Sequence, residues 1–160
     1  MQKLLSALLC VLMLCGCSTN QSNNIDLNQE TNPYFIDTEY FTVEVPEFWN
    51  GLYEYEIYED DIGYSLIFYE KDSHASMEAG HLMSISLYLE SEDYTYLPSY
   101  EELGKLDTGD NIYNVLVEYP TDVQFDEADA SKYKKLSNTM ESILETITAK
   151  EDCVYSEGIH

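Results

Sequence analysis

Three groups of side chains stand at spacings that bear on chemistry: two close histidines, an Asp-Thr-Gly triplet and several dense runs of carboxylates. His74, Glu78 and His81 are the one close set of metal-ligand types, and spacings of four and three would bring them together on one helix face. Gly80 and the alternation that starts at His81 argue instead for a loop entering a strand. The metallopeptidase pattern of two His four apart with a Glu beside the first is absent. Two exposed loop histidines are therefore the expectation and a zinc site on His74, Glu78 and His81 the alternative; the third histidine, His160, is the last residue. Asp107-Thr108-Gly109 has the residue types with which paired aspartates share one proton. Asp110 and Asn111 follow it directly and the sequence holds no second copy, so a polar hairpin turn is expected.

The carboxylates recur at Glu59-Asp60-Asp61, from Glu90 to Asp93, and at Asp126, Glu127 and Asp129. Ca²⁺ needs several such oxygens around one point and binds extracellular modules at roughly 10⁻⁴ to 10⁻³ M. None of the runs has the alternating loop with a central Gly of an EF-hand, so solvated turns at strand ends are expected, with a Ca²⁺ site as the alternative. Fifteen Tyr are the most unusual feature of the composition. Tyr53, Tyr55, Tyr64, Tyr69, Tyr88, Tyr113 and Tyr119 suit half-buried sheet faces. Tyr94, Tyr96 and Tyr100 fall in one polar stretch with Pro98 and form a candidate contact surface for peptide, glycan or protein. Trp49, close to Pro46 and Gly51, is expected in the core.

These groups sit in a chain of 160 residues with 31 acidic and 7 basic side chains, a formal charge of −24. Every basic residue is Lys, so bidentate recognition of phosphate or carboxylate by Arg is unavailable. Such a charge repels phosphate backbones and anionic head groups, which disfavours nucleic-acid binding and electrostatic membrane docking. At 44% hydrophobic and 13% aromatic the chain is too apolar for disorder. No Gly-x-Ser-x-Gly elbow or Gly-rich phosphate loop occurs, and no Cys-x-x-Cys pair outlasts a cleaved leader.

Lys3 followed by an apolar run over residues 4–14 reads as a signal peptide covering residues 1–16. The run is about 11 residues, short of the roughly 20 that span a bilayer. Its end, Leu14-Cys15-Gly16-Cys17, resembles the bacterial lipobox, which implies cleavage between Gly16 and Cys17 and lipid attachment to Cys17. Of four Cys only Cys153 then remains free, and Glu151 and Asp152 beside it would raise its thiol pKa. Residues 18–33, rich in Asn, Gln, Ser and Thr, read as a flexible tether spanning on the order of 20 to 25 Å. A single domain is expected over residues 34–150, followed by a polar tail over residues 151–160.

The elements that would position these groups follow from periodicity. Phe41, Val43 and Val45 alternate with polar neighbours until Pro46, a first strand. Tyr53, Tyr55 and Ile57 start a β-hairpin that turns at Asp60-Asp61-Ile62-Gly63 and returns over residues 64–71. Residues 81–90 alternate as a further strand, and residues 112–119 as another that ends at Pro120. Ser99-Tyr100-Glu101-Glu102 with Gly104 beyond it predicts a helix of one or two turns. Tyr133, Leu136, Met140, Ile143, Leu144 and Ile147 recur at three and four and predict one long amphipathic helix of about five turns. The fold class expected is α+β, a mainly antiparallel sheet of five or six strands covered by that long C-terminal helix.

Two segments carry a resemblance. Residues 40–49, a strand ending in Pro46 and followed by Trp49, are similar to the opening of the PsbP-like α/β/α sandwich. Tyr119-Pro120-Thr121-Asp122-Val123-Gln124 ahead of a Tyr-containing final helix resembles a group of uncharacterised secreted proteins and lipoproteins of Gram-positive bacteria. The resemblance implies an architecture and an envelope location, and no catalytic residues. The sequence thus reads as a lipoprotein on the outer face of the cytoplasmic membrane. It would be held to the bilayer by acylated Cys17 and act as a non-enzymatic binding or interaction module for an envelope protein, glycan or peptide, without a cofactor. The alternatives are an envelope hydrolase or metal-dependent enzyme built on Asp107, His74 or His81, and a small-ligand carrier with a pocket between sheet and helix.

Overall fold

The computed structural model describes residues 34–158. Leu14, Gly16, Cys17, the tether and His160 lie outside the described residues. Among the described residues nine strands and three short α-helices follow in the order β1 (Phe35–Asp37), β2 (Phe41–Glu44), a 3-10 turn (Glu47–Trp49), β3 (Tyr53–Glu59), β4 (Gly63–Glu70), α1 (Lys71–Met77), β5 (His81–Leu89), β6 (Tyr100–Asp107), β7 (Ile112–Glu118), α2 (Ala130–Ser137), α3 (Glu141–Leu144), β8 (Thr148–Ala149) and β9 (Val154–Glu157). The fold is mainly antiparallel sheet with few helices. The strands form two sheets, one ordered β1-β2-β8 and one ordered β3-β4-β5-β7-β6-β9, antiparallel at every pairing.

Alternation decides which face of the large sheet is buried. On β4, Tyr64, Leu66 and Phe68 point inward and Ser65, Ile67 and Tyr69 outward. In register with the inward set lie Met83, Ile85 and Leu87 of β5, then Tyr113, Val115 and Val117 of β7. Against this inner face stand Phe41, Val43 and Val45, Tyr133 and Leu136 of α2, Ile143 of α3, and Trp49, all in one buried cluster. Trp49 is fully buried, as its sequence context suggested, and its indole Nε1 donates to Thr139 Oγ1 at 3.0 Å.

The long final helix is replaced by two pieces. Over Ser137-Asn138-Thr139-Met140 the chain tightens into three-residue turns, with Thr139 N–H bonded to Leu136 O and Ile143 N–H to Met140 O. The cause is local: Thr139 Oγ1 donates back to Leu136 O at 2.9 Å, Ser142 Oγ to Thr139 O and Thr146 Oγ1 to Ile143 O, so hydroxyls compete with the helical ladder. The apolar spacing persists because a tighter turn still returns every third residue to the same side. Ile147 ends the helical stretch and leads into β8.

The helix expected at residues 99–104 is also corrected, to strand β6. Tyr100 pairs with Glu118 and Asp107 with Ile112, and the register slips between Glu102 and Gly104. That bulge shifts the alternation by one residue, which hid the strand. Residues 151–160 are not wholly a polar tail either, because Val154–Glu157 adds to the free edge of β6 as β9. The loop expected before His81 contains α1, whose first N–H groups are accepted by buried Glu70: Ser73 N at 2.8 Å and Asp72 N at 3.3 Å.

Candidate functional site

Strands β5 and β6 both run antiparallel to β7, which separates them. The connection over residues 90–99 must therefore carry the chain back along the sheet, and ten residues reach at most about 33 to 36 Å. It returns on the outer face. Tyr94 meets Tyr100 edge-on at 5.5 Å and Tyr88 at 6.3 Å, and its hydroxyl donates to Glu102 at 2.6 Å. That bond, burial and the Glu102 charge push the Tyr94 hydroxyl up to about 12. The structure thus gathers Tyr94, Tyr96 and Tyr100 with Tyr88, and fastens Tyr94 and Tyr100 to the sheet. Only Tyr96 stands mostly in solvent, at 66% exposure.

The metal candidates go separate ways. His74 stacks on Tyr69, with centroids 4.1 Å apart and planes at 7°, and its Nδ1 lies 3.4 Å from Glu54 Oε2. Nε2 of His81 lies 2.9 Å from Ser84 Oγ, and burial lowers its pKa. Exposed Glu78 ends α1 in a left-handed conformation, φ 53°, with its N–H on His74 O. Among the described residues no three His, Cys, Asp or Glu converge on one point.

Each acidic run supplies a turn. Asp60 Oδ1 accepts Ile62 N–H and Gly63 N–H at 3.0 Å, Asp93 Oδ1 accepts Thr95 N–H at 2.9 Å, and Asp126 Oδ1 accepts Ala128 N–H at 2.8 Å. The hydrogen bonds from Thr95 lower the pKa of Asp93. Asp107 Oδ1 accepts Gly109 N–H at 2.7 Å, so the Asp-Thr-Gly triplet forms the β6–β7 hairpin turn. The Cys153 thiol is pushed up by burial and then by Asp152, Asp107 and Glu39.

One cleft among the described residues gathers side chains that the sequence alone did not bring together. A cleft of about 520 Å³ opens between α3 and the β6–β9 edge of the large sheet. Its wall is apolar at Leu103, Leu144 and Ile147, Leu103 being the residue that the β6 bulge inserts. Tyr119 and Tyr155 add aromatic surface, and Glu101, Glu141, Glu145 and Glu157 supply four carboxylates; no Lys lines it. Tyr155 OH donates to Leu103 O at 3.1 Å and Tyr119 OH lies 3.4 Å from Glu101 Oε2. Both hydroxyls are raised, by burial first and then by the neighbouring Glu, so they remain neutral donors at neutral pH. Glu101 and Glu157 come from strands, Glu141 and Glu145 from α3 and its C-terminal flank. Glu141 and Glu145 are neighbours on one helical stretch, but Glu101 and Glu157 join them only through the pairing of β6 with β9, so composition alone cannot assemble the set.

Comparison with protein-family models, with curated proteins and with solved structures finds no match.

Proposed function

We propose that this protein is a membrane-anchored, extracytoplasmic lipoprotein that acts as a non-enzymatic binding module, and that the cleft beside α3 takes an organic cation with an apolar part. One observation carries the binding site: four carboxylates and no Lys line a cleft that also presents Leu103, Leu144, Ile147 and two Tyr, and its volume suits a small ligand. Carboxylates accept hydrogen bonds from an ammonium or guanidinium group. Leu103, Leu144 and Ile147 would cover the ligand's methylene groups, and the Tyr rings add cation–π attraction. This reading joins the binding module to the small-ligand carrier expected as an alternative.

Thermal unfolding with spermidine, choline and a lysyl-leucine dipeptide tests it. A cation at one hundred times its Kd adds about 2.7 kcal/mol, and Glu141→Gln combined with Glu145→Gln should abolish that gain while leaving the unliganded melting temperature nearly unchanged. Flat melting curves across the panel, or an equal gain in the double variant, would overturn the cleft as the site.

Anchoring is supported by the Leu14-Cys15-Gly16-Cys17 pattern after an apolar leader. With two acyl chains the membrane association would be stable despite the negative charge. Cys17→Ala should release the protein from the membrane fraction or block its processing, and unchanged retention would refute lipid attachment at Cys17. The likeness of residues 40–49 to the opening of PsbP-like domains belongs to the same proposal. It is supported by β2 ending at Glu44, two residues before Pro46, and by the buried Trp49 beyond.

A further inference from the structure

The large sheet ends at β3, and no strand pairs with its other side among the described residues. Lys71 N–H bonds to Leu52 O and Asp60 N–H to Gly63 O. With Tyr53 paired to Glu70 and Glu59 to Tyr64, the antiparallel alternation turns the N–H and C=O of Tyr55, Ile57 and Glu59 toward the open edge. The side chains there are unusual. Tyr55 and Ile57 stand on the inner side, opposite Phe68 and Leu66, which are fully buried, yet they remain 43% and 49% exposed. The neighbouring carboxylates are Glu54, Glu56, Glu59, Asp60 and Asp61, and one cation, Lys71, lies 3.8 Å from Glu54.

We infer that the β3 edge is a docking strand for an extended, basic segment of a partner protein, in which cationic residues alternate with apolar ones. A strand added there would bond to the outward backbone groups. Its apolar residues would cover Tyr55 and Ile57, and its cationic residues would lie beside Glu54 and Glu56 on the opposite face. Charge selects this occupant over a second copy. Antiparallel pairing of two β3 strands would set carboxylates against carboxylates between two chains that each carry a formal charge of −24.

The test is titration of the full chain with a labelled nine-residue peptide alternating lysine with valine, followed by fluorescence anisotropy and amide hydrogen exchange. Saturable binding with slowed exchange at Tyr55, Ile57 and Glu59 is expected. A matching peptide with glutamate for lysine should not bind. Glu56→Lys, at an exposed position on the face where the cationic residues would lie, should weaken the lysine peptide by about tenfold or more and admit the glutamate peptide. Ile57→Pro removes an outward N–H without touching the bonds to β4 and should also abolish binding. Glu141→Gln with Glu145→Gln should leave peptide binding unchanged, which separates this edge from the cleft. No binding at about 1 mM peptide, protection on other strands, or unaltered binding in the charge-reversed variant would overturn the proposal. A peptide-free dimer with Tyr55 and Ile57 already protected would assign the edge to a second copy instead.

Discussion

Thr139 joins two parts of the core through one hydroxyl. Its oxygen accepts the indole N–H of Trp49 at 3.0 Å and its proton goes to Leu136 O at 2.9 Å. Trp49 and Leu136 are both fully buried, so the hydroxyl satisfies a donor that water does not reach. Thr139→Val keeps the shape and removes the acceptor. The orphaned indole N–H should cost about 1 to 3 kcal/mol, read by urea unfolding followed on the fluorescence of Trp49, the single Trp of the chain. Thr139→Ser keeps the bond and should recover most of the loss. Equal stability of the Val and Ser variants would show that the Trp49 bond contributes nothing. Trp49 was legible as a core residue because a large aromatic sits between chain-turning Pro46 and Gly51. Its partner was not, since a Thr within a helical apolar pattern gives no sign that its hydroxyl faces inward from 90 residues away.

At the scale of elements, β6 and β9 depend on one glycine. Gly104 has φ 152° at the bulge, and a Cβ there would lie 2.1 Å from Ser156 O and 2.9 Å from Gly158 N. Those atoms are backbone and cannot swing aside. Gly104→Ala should therefore detach β9. Amide exchange should quicken at Ser156 and Gly158, whose N–H bonds to Leu103 O at 2.8 Å, while the central strands β4, β5 and β7 stay protected. Since Tyr155 and Glu157 line the cleft, cation binding should weaken in parallel. Unchanged exchange over β9 would mean that the bulge absorbs the methyl group. The contrast between strands shows what periodicity can reveal. β2, β3, β4 and β7, and β5 from Met83 onward beyond the irregularity at Leu82, keep a period of two and were legible with the Asp60–Gly63 turn. In β6 the inserted Leu103 breaks the period, and a Ser-x-x-Glu match there imitated a helix start. β1 has three residues and β9 four, too few for a period; β1 gains its place from pairing with the next strand, β2, and β9 from pairing with β6, distant in sequence. The final helical region preserved its apolar stripe while backbone-bonding hydroxyls divided it, so burial was readable at Leu136 and Ile143 and helix length was not.

For the whole molecule, charge is the dominant fact. Lys71, Lys105, Lys132 and Lys150 each face a carboxylate. Lys134 and Lys135 lie over the rings of Phe125 and Phe48, at 6.0 and 4.8 Å. All six described Lys therefore have a partner on the chain, leaving most of the carboxylates among the described residues without an ion-pair partner. Two electrostatic effects then oppose each other when salt is added. Screening weakens the surface ion pairs, each worth about 0 to 1 kcal/mol, which lowers stability. Screening also relieves repulsion among the unpaired carboxylates, which raises it. The unpaired groups far outnumber the pairs, so repulsion wins and the melting temperature should rise with salt. Between about 0.01 and 0.5 M NaCl the screening length falls from roughly 30 Å to under 8 Å. About 1 kcal/mol gained over that range is a rise of several degrees for a domain of this size. A fall in melting temperature would show that the ion pairs outweigh repulsion. CaCl₂ at matched ionic strength supplies the further discrimination: an equal rise with both salts is screening alone, whereas an excess with Ca²⁺ that saturates at about 1 mM identifies a divalent site among the acidic turns. Because Asp60, Asp93 and Asp126 already spend one carboxylate oxygen on turn N–H groups, the expected result is equal curves.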